Sequence, residues 1–298
     1  MGASRALRTA PIVDWDRAAA VFGTPFFDAV RLHLGSFQGF PDVAALDALL
    51  AQRAQPVLNA NGLALRFVDA GGSGRDAGGT GPRGYEELVY FEGRVGIRAG
   101  NWHDFFNAIA WLAWPRVKAA LNQAHVRGLR QAPAWREPGG RGTARDSATL
   151  FDEAGAAVAC ADGELAGLLR DFRWKDLFVS RRAGVQDRLR CYIVGHSLMD
   201  KALAPYKGMT ANALVFPVAP DFFSRPVAEQ VEILDGLLAA WFAEPAHLDA
   251  AGPFSPLPLL GLPGYCGGNA DPSYYDDAAT FRPGRMRITN RDGLRKGR

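Results

Sequence analysis

Asn101–Asn122 reads NWHDFFNAIAWLAWPRVKAALN, and between Phe105 and Trp114 its only polar residue is Asn107. A helix that is apolar on every side is a buried one. The hydrogen-bonding side chains gather at its start, as Asn101, His103, Asp104 and Asn107. A buried polar group left without a partner costs roughly 1–3 kcal/mol. These four are therefore either a satisfied structural knot or the floor of a site. Pro115 falls inside the pattern, so the helix either kinks there or restarts as Pro115–Gln123, with proline at a favourable first-turn position.

The flanks set the fold class. Helices are expected at Asp14–Val21, at Pro25–Leu34 and at Asp42–Ala54, the last with Asp42 as N-cap. Leu63–Val68 alternates like a strand, and Tyr85–Phe91 reads as a strand or a short helix. After the central helix, Ala148–Phe151 and Ala156–Cys160 flank Asp-Glu-Ala-Gly and predict a β-hairpin. Leu165–Leu169 reads as helix. Leu189–Val194 is a continuous apolar run, as in a buried strand, and passes directly into a helix over Ser197–Leu203. Leu214–Val218 is a further strand, and Pro226–Phe242 is an amphipathic helix. From Pro253 the chain is Pro-, Gly- and Tyr-rich. The sum is an α+β, helix-rich single domain over residues 15–283, with a small sheet and a long irregular C-terminal arm. Residues 71–84 and 133–146 are expected as flexible loops, and 284–298 as a basic, disordered tail.

Bulk properties exclude several function classes. At 298 residues with 48% apolar and 22% charged residues, the composition is that of an ordinary globular chain. No run approaches the roughly 18 apolar residues of a spanning helix. The first residues carry no apolar stretch of the kind a secretory signal requires, which makes a cytoplasmic location the expectation. The three cysteines, Cys160, Cys191 and Cys266, are too few and too dispersed for a disulfide framework or a Cys-x-x-Cys metal site. A net charge of +3 carries no specific nucleic-acid signal. The glycines of GGSGRDAGGTGPRG at 71–84 suggest a phosphate cradle, but no Lys-Ser/Thr follows and no helix is expected there.

Four ordered blocks resemble the bacterial DUF3025 family. They are GRVGIRAGNWHDFFNAIAWLAWPRVKAALN at 93–122, RDSATLFDEAG at 145–155, VGHSLMDKALAPYKGMTANAL at 194–214, and LPLLGLPGYCGGN with YYDDAATFRP between 257 and 283. The resemblance spans roughly Trp15 to Pro283. It implies one continuous family domain, and it transfers no catalytic residue because the family has no assigned activity.

Chemistry must then be read from the residues. If Asn101 caps the helix, Asp104 stands at its third position and can bond back to the cap amide, as in a capping box. His103 and Asn107 are four apart and share a face with Trp111. A charged imidazole is disfavoured at a helix N-terminus, so His103 should be neutral, able to take a proton or bind a metal. Asp146 precedes an apolar segment with Arg145 as its surface partner, while Asp152 and Glu153 suit a hairpin turn. Gly195-His196-Ser197 between strand and helix has the setting of a nucleophile elbow, with Asp235 and His247 following in hydrolase order. Met199, however, stands where the closing glycine belongs. Asp276 and Asp277 in the arm are a weaker metal or substrate loop. The candidate catalytic set is His103, Asn107, Asp146 and His196, with a divalent metal as the conceivable cofactor. Two functions are open: a hydrolase or other acid–base enzyme centred on His103, or a binding or scaffold protein in which the same side chains only cap and cross-link.

Overall fold

The computed structural model describes residues 14–70, 84–131, 143–249 and 254–283. The chain opens with helix α1 (Trp15–Ala19), a single 3-10 turn at Pro25–Phe27, α2 (Arg31–Leu34) and α3 (Val43–Ala51). Asp42 caps α3, its Oδ1 accepting from the Ala45 amide at 2.8 Å. The helix expected over Pro25–Leu34 is thus two short pieces. Strand β1 (Arg66–Asp69) pairs in parallel with β2 (Arg94–Ile97), and α4 (Tyr85–Glu92) lies between them in sequence. Gly93 ends α4 in the left-handed region, at φ 66°, and a Cβ there would stand 2.5 Å from the Ala64 carbonyl oxygen. Only glycine meets both conditions.

The central segment divides at the proline, into α5 (Trp102–Ala113) and α6 (Pro115–Gln131). Pro115 lacks the amide that would continue α5, and the next two amides are taken by Asp235, which accepts from Arg116 N at 3.0 Å and Val117 N at 2.8 Å. The expected hairpin at 148–160 is overturned. Residues from Thr143 onward form helix α7 (Thr143–Ala154), which runs straight into strand β3 (Gly155–Cys160). Ala148 and Phe151 are buried one turn apart, as on a helix face. The loop expected at 133–146 therefore ends by Thr143. Next come α8 (Gly163–Arg170), a π-turn at Asp176–Ser180, α9 (Arg182–Arg188), β4 (Leu189–Ile193) and α10 (His196–Lys201). Strand β5 (Thr210–Pro217), α11 (Val227–Ala243), α12 (Pro245–Asp249) and β6 (Ser255–Pro258) complete the regular elements.

The main sheet has the order β4-β3-β5-β6, with β3 parallel to β5 and antiparallel to β4. Every residue of β3 is buried. Ala156, Val158 and Cys160 face a core shared with α5, whereas Ala157 and Ala159 face one shared with α6 and α11. A strand covered on both faces needs apolar residues at every position, and the small side chains of Gly-Ala-Ala-Val-Ala-Cys let the helices lie close. The fold is α+β, with small sheets among many helices. The C-terminal arm is less irregular than expected, since β6 forms the edge strand beside β5. Beyond it, buried Asn269 staples the arm: its Nδ2 donates to the Leu260 and Leu262 carbonyls at 2.8 and 2.7 Å, and its Oδ1 accepts from Arg182 at 2.9 Å. Of the two expected loops and the basic tail, residues 71–83, 132–142 and 284–298 lie outside the described residues.

Candidate functional site

The polar start of α5 divides into two halves with different partners. Asn101 is the N-cap, its Oδ1 accepting from the Asp104 amide at 3.0 Å. The reciprocal bond of a capping box is not made. Asp104 turns instead to Arg98, accepting from its amide at 2.9 Å and from its guanidinium at 2.7 and 2.8 Å. Burial works to raise this carboxyl, but the Arg98 contacts outweigh it and hold it below the usual range. Asn101 and Asp104 anchor the helix.

His103 points the other way, towards α10, and Asn107 points towards Tyr85 of α4 and Lys118 of α6. The approach of α7 and α10 is set at Gly195, where a Cβ would fall 2.5 Å from the Ala154 amide nitrogen and 2.6 Å from the Glu153 carbonyl oxygen. Glycine therefore lets the β4–α10 turn rest directly on the α7–β3 junction. This contact brings His196, the first residue of α10, beside Asp152 and Glu153 at the end of α7.

The resulting cluster is tight. Nε2 of His196 lies 3.1 Å from Nε2 of His103, and Nδ1 of His103 lies 3.3 Å from Ser197 Oγ. A Glu153 carboxylate oxygen stands 3.7 Å from His196 Nε2, and an Asp152 oxygen stands 3.7 Å from His196 Nδ1. That Nδ1 is sealed from solvent and makes no hydrogen bond among the described residues. Behind the pair, Lys118 of α6 is buried. Its Nζ donates to Asp152 at 2.5 Å and to Asn107 Oδ1 at 2.9 Å, and Asn107 Nδ2 in turn donates to the Tyr85 hydroxyl at 2.7 Å. A line of polar contacts thus runs from Tyr85 through Asn107, Lys118, Asp152 and His196 to His103 and Ser197. Glu153, with 42% of its side chain exposed, stands at the solvent edge of this line.

Electrostatics separates the members. Burial favours the neutral form of His196 and lowers its pKa to about 4; Lys118 and His103 add to this, against the pull of Asp152 and Glu153. Burial would raise Asp152, but Lys118 together with the His196 and His125 rings overrides it and brings the carboxyl down to about 2. Asp200, one turn along α10, is raised by its burial, with His103 and Lys201 opposing. Burial drives the Tyr85 hydroxyl well above its ordinary value. A second buried group lies behind the first: Asn122 Nδ2 donates to Glu86 Oε2 at 2.7 Å, and His125 Nε2 lies 3.9 Å from Glu86 Oε1. Burial raises the Glu86 carboxyl, Asp152 adds to this, and His125, Asn122 and Lys118 oppose it.

Of the four residues singled out from sequence, His103 and His196 meet directly, and Asn107 joins through Lys118. Asp146 does not. It sits half-buried in the first turn of α7, and six residues of helix place it about 9 Å along the axis from Asp152. Asp146 stood out on the reading of a strand here, and the helix that forms instead leaves it away from the histidines. Asp152 and Glu153, assigned to a turn, are the carboxylates that reach the histidines. The hydrolase order through Asp235 and His247 is not assembled either, because Asp235 caps α6 and His247 stacks on Trp241 with centroids 4.9 Å apart. In the arm, Asp276 pairs with Lys175, and Asp277 with Lys207 at 3.1 Å. Lys118, Glu86 and His125 were missed. The one signal for Lys118 was a lysine three residues after Pro115, on a helix otherwise facing a core.

Two imidazole nitrogens and one carboxylate oxygen, from His103, His196 and Glu153, lie within 4.8 Å of one another, and among the described residues this trio could hold a metal ion. A cavity of about 1120 Å³ lies elsewhere, lined in part by Arg31, Arg53, Leu112 and Arg116. Its arginines are engaged with neighbours: Arg53 with the Leu112 carbonyl, Arg31 with Asp28, and Arg116 with Glu232. Volume alone does not make a reaction centre, and convergent acid–base groups are found at the histidine cluster.

No helix among the described residues is long and apolar enough to cross a membrane. Neither a curated protein nor a solved structure matches the chain. A family model described as a protein of unknown function, DUF3025, matches residues 65–285. That span runs from β1 through the arm and contains every residue of the cluster, while the part of the resemblance between Trp15 and residue 64 lies outside it. With well over half its length matched, this chain belongs to the DUF3025 family.

Proposed function

We propose that this protein is a hydrolase whose acid–base centre is the His103–His196 pair. The observation that carries the reading is the line from Ser197 Oγ through His103 and His196 to Asp152, with successive separations of 3.3, 3.1 and 3.7 Å. A base backed by a second group and then by a carboxylate is the arrangement that activates a nucleophile. In this reading a water at the Glu153 edge attacks the substrate and an imidazole takes its proton. The two carboxylates stabilise the imidazolium that forms. Asn107 and Lys118 hold Asp152 ionised and in place.

The nearness of Ser197 favours a second reading, in which its hydroxyl is the nucleophile and His103 its base. The two divide cleanly by experiment. Purified protein is assayed on chromogenic ester, amide and phosphoester substrates, beside His103→Ala, His196→Ala and Ser197→Ala. Turnover lost in both histidine variants and kept in Ser197→Ala supports the water mechanism. Turnover lost in all three, with wild-type labelling by a fluorophosphonate, supports the serine. No turnover by wild type on any of these substrates, with histidine variants that are only less stable, would leave the scaffold reading, in which these side chains do the same work as Asn101 and Asp104.

A further inference from the structure

We infer that His103 Nε2, His196 Nε2 and a Glu153 carboxylate oxygen form a mononuclear site for a divalent transition-metal cation of the zinc–iron class. The inference rests on the hydrolase reading but moves the activation of water from the imidazoles to the ion, because a ring bound through Nε2 and protonated at Nδ1 accepts no proton; the site itself stands on its own geometry.

The first argument is spacing. Two nitrogens each about 2.05 Å from a metal are roughly 2.9 Å apart at a right angle and 3.3 Å apart at a tetrahedral one. The observed 3.1 Å lies between these limits, and Glu153 Oε1, 3.7 Å from His196 Nε2, completes a trio of donor atoms that lie within 4.8 Å of one another. The second argument is the far side of each ring. Metal-bound histidines donate their other N–H to an oxygen, which fixes the tautomer and aims the lone pair at the ion. Here His103 Nδ1 has Ser197 Oγ at 3.3 Å and His196 Nδ1 has Asp152 Oδ2 at 3.7 Å. His196 Nδ1 is also the buried nitrogen without a hydrogen bond. Placing a proton on each Nδ1 turns both Nε2 lone pairs toward the same point, an arrangement that a cation stabilises.

Charge and donor type narrow the ion. Lys118 neutralises Asp152, so Glu153 remains the anionic ligand at the edge. Two imidazoles with one carboxylate suit zinc, iron or cobalt, whereas magnesium and calcium require oxygen donors. The exposure of Glu153 leaves room for water in a further coordination position, as catalytic sites require.

The test uses the untagged full-length protein, stripped with a chelator and titrated separately with Zn²⁺, Fe²⁺ (under anaerobic conditions), Co²⁺ and Mg²⁺. One equivalent of Zn²⁺ or Fe²⁺ should bind, Co²⁺ should give visible d–d absorption, and Mg²⁺ should not compete. Glu153→Gln alters a half-exposed side chain and should fold. It and His103→Ala should weaken binding at least tenfold, and Asp152→Asn should weaken it about 10- to 100-fold through the tautomer of His196. A wild-type protein that takes up neither zinc nor iron, or a folded Glu153→Gln that binds as tightly as wild type, overturns the site. Binding as described with hydrolysis unchanged by stripping would support the site and refute a catalytic role for it. Hydrolysis by a protein that binds no metal would overturn the site and leave the acid–base reading intact.

Discussion

Asp152, near the end of α7, and Asp235, in the middle of α11, are both shielded aspartates, and they are held by opposite means. Asp235 accepts two backbone N–H bonds at the start of α6. Its burial outweighs those bonds and the more distant Arg116 and Arg53, and the carboxyl rises from 3.8 to about 6. Asp152 has Lys118 at 2.5 Å and imidazoles nearby, and despite its own burial it falls to about 2. Backbone dipoles satisfy hydrogen-bonding capacity without supplying a full charge, whereas a buried ammonium does. A helix cap can tolerate a carboxyl that protonates. In the proposed mechanism Asp152 supports an imidazolium and must stay ionised, and of these two aspartates it is the one that is given a buried ammonium.

The strongest way to break this contrast is Lys118→Met, which leaves Asp152 shielded and uncompensated. The expected loss is about 3–5 kcal/mol, read as a lower urea midpoint at pH 7. An unchanged midpoint would mean that Asp152 does not depend on the ammonium.

Next is the pH dependence of the two acids, where the signs oppose. Because the folded-state pKa of Asp235 is raised, ionising it disfavours the fold. Wild-type stability relative to Asp235→Asn should fall by on the order of 2–3 kcal/mol as pH rises from about 4 to about 6. Asp152 has a lowered folded-state value, so its contribution is present above about 4 and is lost as pH falls toward about 2. Denaturation midpoints at stepped pH values check both, and parallel curves for wild type and Asp235→Asn would refute the first.

Gly195→Ala sharpens the geometric side, since the added Cβ must push α10 away from the α7–β3 junction. A loss of about 1–3 kcal/mol is expected, together with weakened activity or metal uptake beyond what stability accounts for. The smallest effect belongs to the pairing at the start of α5, where Asp104 is shielded but Arg98 is exposed: Arg98→Ala should cost about 1 kcal/mol and leave turnover unchanged, because Asp104 is held by Arg98 and not by the histidines.

The sequence was most legible where local chemistry is self-contained. Asp42 and Asn101 were readable as caps because a cap needs only its own next turn. Pro115 was readable as a break because the missing amide belongs to the residue itself. His103 and Asn107 stood out as polar groups on an oily helix. The stretch 143–155 was misread because acids before a glycine satisfy a tight turn as well as a helix end. Its neighbour β3 pairs in parallel with β5, more than fifty residues away, so nothing local distinguished the alternatives. Lys118 drew no reading from the sequence. Its role depends on Asp152, 34 residues later, a pairing with no local trace.

By itself, the amino-acid order determined the helix-rich class, the break at Pro115, the caps, the family and two histidines worth following. Only the tertiary structure decided which acids meet them, that Asp146 stays apart, and that Asn101 and Asp104 serve the helix while His103 serves the cluster. The reason is range. Caps and breaks arise from bonds within one turn, whereas the meeting of α5, α6, α7 and α10 depends on close packing of chain segments far apart in sequence, down to a glycine whose missing side chain lets two backbones touch.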